Sequence, residues 1–177
     1  MNTLTLDRIR LTDFALVMLA SCVICLFGHI SIPLWFTPIP LATQNMAILI
    51  VGAVLGSRRG LAAVLAFLAQ GLAGLPVFAN GDSGLHILMG PRGGYLIGYA
   101  FAAFVVGYLI EKKKHPLLAL FAGQVAIFAC GAGYLSSFVG MEKAFYLGVT
   151  PFLFGDFLKL LACWKILNWK KAREMKG

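Results

Sequence analysis

Asp156 and Lys159 stand three positions apart in "FGDFLKLLACWKI", residues 154–166, among Phe154, Phe157, Leu158, Leu160 and Leu161. On a helix, positions i and i+3 project from one face about 5–6 Å apart at Cβ, so the acid and the base can act together. The carboxylate supplies acceptors and the ammonium supplies donors, a match for a urea- or amide-like group bearing both N–H and C=O. Two more polar residues stand out in apolar surroundings: Asn80 in "GLPVFANG" and Arg92 in "GPRGGYLIG". A guanidinium some distance from the pair suits a carboxylate. Arg92, Lys159 and Asp156 carry one net positive charge between them, which a monoanion would neutralise. The chemistry points to a small amphipathic anion with a polar head. Trp35, Phe36, Phe78, Tyr95 and Trp164 are available as apolar walls. The competing reading is an ion pair that satisfies itself, with Lys159 snorkelling toward headgroups.

Which reading holds depends on the solvent. The 177 residues are 60% hydrophobic and only 12% charged, with a mean hydropathy of +0.86. A soluble domain is usually about 25% charged and roughly 45–50% apolar. The deficit is too large for a surface in water, so the solvent for most of the chain is a bilayer. Ionisable residues placed there face a cavity or the bundle interior, and mark a pathway or a site.

The elements that must position these residues follow from the apolar runs, since a helix needs about 20 residues to cross the hydrocarbon core. The sequence predicts an all-α integral membrane protein, one domain over residues 1–177, with six spans. They run roughly over 12–32, 41–56, 60–75, 94–110, 116–138 and 149–168. Pro33, Pro38 and Pro40 stop the first, and Pro76 follows the third. The first span follows Arg8 and Arg10 as a signal peptide would, but it lacks a small-x-small cleavage site before the loop that follows, more spans come after it, and it is kept as a span.

Lys and Arg placement sets the orientation. Arg8, Arg10, Arg58, Arg59, Lys112, Lys113, Lys114, Lys170, Lys171, Arg173 and Lys176 all fall on one side of a six-span chain, against Arg92 and Lys143 on the other. Both termini are therefore expected in the cytoplasm. The net charge of +8 is accounted for by topology, which removes the case for nucleic-acid binding. Asn80, Arg92, Asp156 and Lys159 then share the external half.

Other motifs say less. Gly52 and Gly56, Gly94 and Gly98, and the pair Ser21 and Cys25 have the i, i+4 spacing of close helix approach, inside the bundle or between subunits. Cys22 and Cys25 have CxxC spacing, but no second pair or histidine cluster lies near them in sequence, and small packing residues are the ordinary reading. His29, His86 and His115 are scattered, so no metal is expected. There is no P-loop motif, so the chain does not hydrolyse ATP by that route.

The segments "ISIPLWFTPIPLATQ", "GSRRG", "GLAGLPVFANG", "GPRGGYLIGY" and "GDFLKLLACW", in that order, resemble the BioY family over about residues 14–169. These are the biotin-binding membrane subunits (S-components) of energy-coupling-factor vitamin transporters. The resemblance implies a six-helix bundle in the cell membrane that captures biotin near its extracellular face. A transmembrane transducer and two ATPase subunits then drive import, so ATP is used only by partners, and no cofactor is implied here. The family's biotin contacts carry over to Asn80, Arg92, Asp156 and Lys159, with Tyr95 as an adjoining wall. Its transducer-docking motif, two alanines four apart on the first helix, falls on Ser21 and Cys25, which differ but are still small. A solitary biotin carrier without ATPases is the alternative. A membrane enzyme using Asp156 and Lys159 as acid and base lacks a second acid, a metal set or a nucleophile beside them. A structural scaffold would not need paired charges at that depth.

Overall fold

The computed structural model describes residues 3–174, with side chains over 11–40 and 42–169. Arg8, Arg10, Lys170, Lys171, Arg173 and Lys176, all used to orient the chain, lie outside the described side chains. Helix α1 covers Thr3–His29. Beyond it the chain forms a two-residue antiparallel ribbon, β1 (Ser31–Ile32) against β2 (Leu41–Ala42). Helix α2 follows over Gln44–Leu72, and a short α3 over Leu85–Met89. Then come α4 (Gly93–Glu111), α5 (Pro116–Val139), a short α6 (Met141–Gly148) and α7 (Leu153–Glu174).

Five stretches of the described chain are helical, long enough and apolar enough to cross a membrane. One of them, α2, is not straight. Gly56 has φ 83° and ψ 177° within it, a left-handed conformation that costs glycine nothing and other residues much. In a continuous helix, residues eight apart are separated by about 12 Å. Here a Cβ built on Gly60 would lie 2.9 Å from the Cα of Gly52, so the chain doubles back at Gly56 and its two limbs pack on each other. The reversal expected across Ser57–Arg59 thus takes a single residue, and Arg58 and Arg59 open the second limb.

Glu111, ending α4, completes this turn. Its carboxylate accepts the backbone N–H of Ser57 at 2.7 Å and the Ser57 hydroxyl at 2.9 and 3.0 Å. That N–H is one of the unpaired donors at the start of the second limb, where a negative charge is also favoured by the helix dipole. Small residues bring the helices together. Gly52 lies against the Ala103 backbone of α4, and Gly94 and Gly98 against Cys130, Tyr134 and Ile127 of α5. Both G-x-x-x-G spacings therefore serve packing inside the bundle.

The Pro-rich loop 33–40 is tied down at its base and at its middle. The Thr43 hydroxyl donates to the carbonyls of Phe27 at 2.8 Å and Ile30 at 3.2 Å, joining the exit of α1 to the entry of α2. The Thr37 hydroxyl donates to the Leu147 carbonyl of α6 at 2.7 Å. Gln44, fully buried, donates to the carbonyl of Val77 at 3.1 Å and so holds the loop before α3. The short helices α3 and α6 and the ribbon were not expected from the apolar runs. All three lie in connections on the side of the bundle where α7 begins.

Candidate ligand-binding site

Asp156 falls in the first turn of α7, where free backbone N–H groups and the helix dipole favour a carboxylate. It is 4% exposed. Lys159 Nζ lies 2.8 Å from its Oδ1, and the Gln124 amide of α5 donates to its Oδ2 at 2.6 Å. The ammonium also donates to the Ala42 carbonyl of β2 at 2.8 Å and to Asn45 Oδ1 of α2 at 3.5 Å. Lys159 therefore reaches inward to three acceptors on three elements. The snorkelling reading fails: its side chain is 18% exposed and the carboxylate's only 6%. A buried pair is tolerable when its remaining donors and acceptors are met, as they are here.

Two cavities of about 40 Å³ each lie side by side above this pair. Asn45, Gln124, Asp156 and Lys159 line one; Gln44, Phe78 and Arg92 line the other. Tyr95 and Tyr99 of α4, with Ile39, Pro40 and Ala42 of the loop, line both. The polar pair and the guanidinium thus sit at opposite ends of one divided space, floored by two tyrosines and roofed by the loop. Ligand pockets ordinarily hold about 300–1,000 Å³, so the space is closed down over its charges. A wider groove of about 660 Å³ between α5 and α7, lined by Leu118, Phe121, Phe157 and Leu161, touches Asp156 from the other side. Its apolar walls suit lipid chains.

Of the expected site residues, the structure brings Tyr95, Asp156 and Lys159 to one cavity and Arg92 to the next. Tyr95 is seated between Gly131 and Gly148, where any side chain would meet its ring or hydroxyl. Its hydroxyl is already committed, donating to the Gly148 carbonyl at 2.8 Å. Asn80 lines neither cavity. It is exposed, and its Oδ1 accepts from the Ser31 hydroxyl at 2.8 Å. Among the expected walls, Phe78 and Tyr95 line the space, whereas Trp35 is 96% exposed and Trp164 lies away from both cavities.

Two expectations are corrected. Arg92 is not an unbalanced cation: it pairs with Asp82 of the preceding loop at 2.5 Å. With Asp82 counted, the four charges sum to zero. Ser21 does not face outward, and Cys25 is only part-exposed. Ser21 is fully buried and accepts from the Gln70 amide at 3.0 Å, while the Cys25 thiol donates to the Gln70 carbonyl at 3.5 Å. The side of α1 left exposed carries Ala15, Leu19, Cys22 and Leu26.

Gln124, Asn45, Tyr99 and Asp82 were missed from the sequence. Neutral polar groups in apolar helices give no charge signal, and Asp82 in "NGDSG" reads as an ordinary turn residue. No group of three or more potential metal-binding side chains occurs among the described residues.

Long apolar helices around a small, charged, divided cavity define a multi-pass helical membrane protein, and its location is the cell membrane. The chain belongs to the BioY family, whose model matches residues 1–174. It is 36% identical over 162 residues to the biotin transporter BioY of Rhizobium etli, covering 83% of this chain and 86% of that one. It is 39% identical over 145 residues to the biotin transporter BioY of Thermotoga maritima, covering 80% and 85%. The fold is similar to the crystal structure of the S-component for biotin from an ECF-type ABC transporter. The TM-score there is 0.85 at 28% identity, covering 97% of this chain and 95% of the other.

Proposed function

We propose that this protein captures biotin from outside the cell and hands it to an energy-coupling module, made of a transmembrane transducer and two ATPases, for import. The observation that carries this reading is the divided cavity, with a buried acid–base pair at one end and a guanidinium at the other. Biotin offers a ureido group with adjacent N–H and C=O, an apolar ring system, and a valerate carboxylate. The ureido N–H groups would donate to Asp156 and its carbonyl would accept from Lys159, while the carboxylate would meet Arg92. Asn80 would join only by giving up Ser31. The chain itself carries out no chemical conversion and needs no cofactor on this reading.

On this reading the two limbs of α2 cross separately, for six crossings in all, and the Lys and Arg bias puts both termini in the cytoplasm. Arg58 and Lys112–Lys114 then lie on the cytoplasmic side, and the charged cavity opens outward. The burial of Ser21 and the bonds of Ser21 and Cys25 to Gln70 favour a second reading, a carrier that works alone. The first test is equilibrium binding of radiolabelled biotin to the purified protein in detergent. One saturable site per chain, competed by unlabelled biotin, is expected; no displaceable binding overturns the proposal. Uptake with and without ATPase partners separates the two readings.

A further inference from the structure

We infer that Tyr99 is a specificity-determining residue of this site, its hydroxyl directed at the middle of the ligand. This rests on the biotin reading above and assigns a role to a residue outside the charged set. Tyr99 and Tyr95 stand one helical turn apart on α4, and both line both cavities. They are not equivalent. The Tyr95 hydroxyl is spent on Gly148. The Tyr99 hydroxyl has no hydrogen-bond partner among the described residues, although the residue is only 9% exposed. Its oxygen is not sealed off either, since the indole nitrogen of Trp164 is the only buried side-chain polar atom without a partner among those described. A polar group held in the core, unpaired and bordering a cavity costs free energy unless the occupant satisfies it.

The position of Tyr99 says which part of the occupant it meets. It borders the cavity of Asp156 and the cavity of Arg92, so it lies where a ligand spanning the two has its centre. In biotin the thioether sulfur lies across the fused rings from the ureido group, beside the root of the valerate chain. With the ureido group at Asp156 and the carboxylate at Arg92, the sulfur falls in the middle. A thioether is a weak acceptor and a phenol is a donor. Tyr99 therefore reads the sulfur, a feature that neither charged end can sense.

The test compares wild type and Tyr99→Phe, purified in detergent, against biotin and its methylene analogue, in which CH₂ replaces sulfur. The variant is expected to bind biotin about two- to tenfold more weakly, the ordinary worth of one neutral hydrogen bond. Its affinity for the analogue should match that of wild type. The ligand-free melting temperature should not fall, because the hydroxyl has no protein partner to lose. Equal losses for both ligands, no loss for either, or a lowered ligand-free melting temperature would each overturn the role of Tyr99 while leaving the biotin site intact. Failure of the wild-type protein to bind either ligand overturns the site and this role together.

Discussion

The ammonium of Lys159 lies 2.8 Å from the carboxylate of Asp156, one turn earlier on the same helix, and both are turned into the bundle. Removing one partner of such a pair leaves the other buried without compensation, at a cost of about 3–5 kcal/mol. Asp156→Asn, which keeps the shape but not the charge, should therefore reduce biotin binding by more than about a hundredfold. An exposed pair would lose under about 1 kcal/mol. Calorimetry on a normally folded mutant decides, and binding within about threefold of wild type would mean that the pair is purely structural.

Arg92 and Asp82 should respond with opposite signs. Arg92→Ala removes a charge-assisted contact worth about 1.5–3 kcal/mol, so roughly a ten- to hundredfold loss of biotin is expected. Biotin amides, lacking the carboxylate, should lose far less. Asp82→Asn frees the guanidinium from a competitor. The pair is partly exposed and is worth at most about 1 kcal/mol, so biotin should bind up to about fivefold more tightly at low salt. If Asp82→Asn weakens binding, Asp82 orients Arg92 and does not compete for it.

Gly56 should tolerate no side chain. Its φ of 83° strains any L-residue, and an added Cβ would lie 2.5 Å from Glu111 Oε1. Strain of this kind costs about 1–3 kcal/mol. Gly56→Ala should lower the melting temperature in detergent and leave the biotin affinity of the folded fraction unchanged. Unaltered melting would show that the reversal relaxes easily.

The exposed side of α1 is the place to test docking. Only 22% of its spanning window is buried, against 33–56% in the other spans. Ala15→Trp or Cys22→Trp should leave biotin binding intact and reduce both ATP-dependent uptake and co-purification of the transducer. Ser21→Leu should behave differently, because overpacking a buried site costs about 1–3 kcal/mol and the Gln70 contact is lost; it should lower thermal stability. Normal uptake in both tryptophan variants would move docking off this side of α1 or favour the solitary carrier.

The parts of the site legible in the sequence were those that lipid makes anomalous. Asp156, Lys159 and Arg92 stood out because a charge in an apolar run demands a reason, and the structure places all three at the divided cavity. Gln124 and Asn45 complete the pair's hydrogen bonds, yet a neutral amide in a helix carries no such demand. Tyr95 reads from the sequence as an apolar wall, and it lines both cavities. Nothing in "GGYLIGYAF" distinguishes its bonded hydroxyl from the free one of Tyr99, because the difference comes from Gly148, 53 residues away from Tyr95. The long helices were legible for the same reason as the charges. Among the connections, α3 and α6 are too short to leave a pattern, and the reversal at Gly56 was displaced onto Ser57–Arg59 because charged residues look like a loop. Ser21 and Cys25 had the right spacing, but spacing names a helix face without naming what it meets.

The bond from Lys159 to the Ala42 carbonyl has a consequence for timing. The same ammonium that would receive a ligand fastens the loop that roofs the site, with Thr37 holding the middle of the loop to Leu147. A ligand too large for the closed space cannot enter until that fastening lets go. The observed rate of association should then stop rising at high ligand concentration and level off at the rate of loop release, however fast diffusion delivers the next molecule.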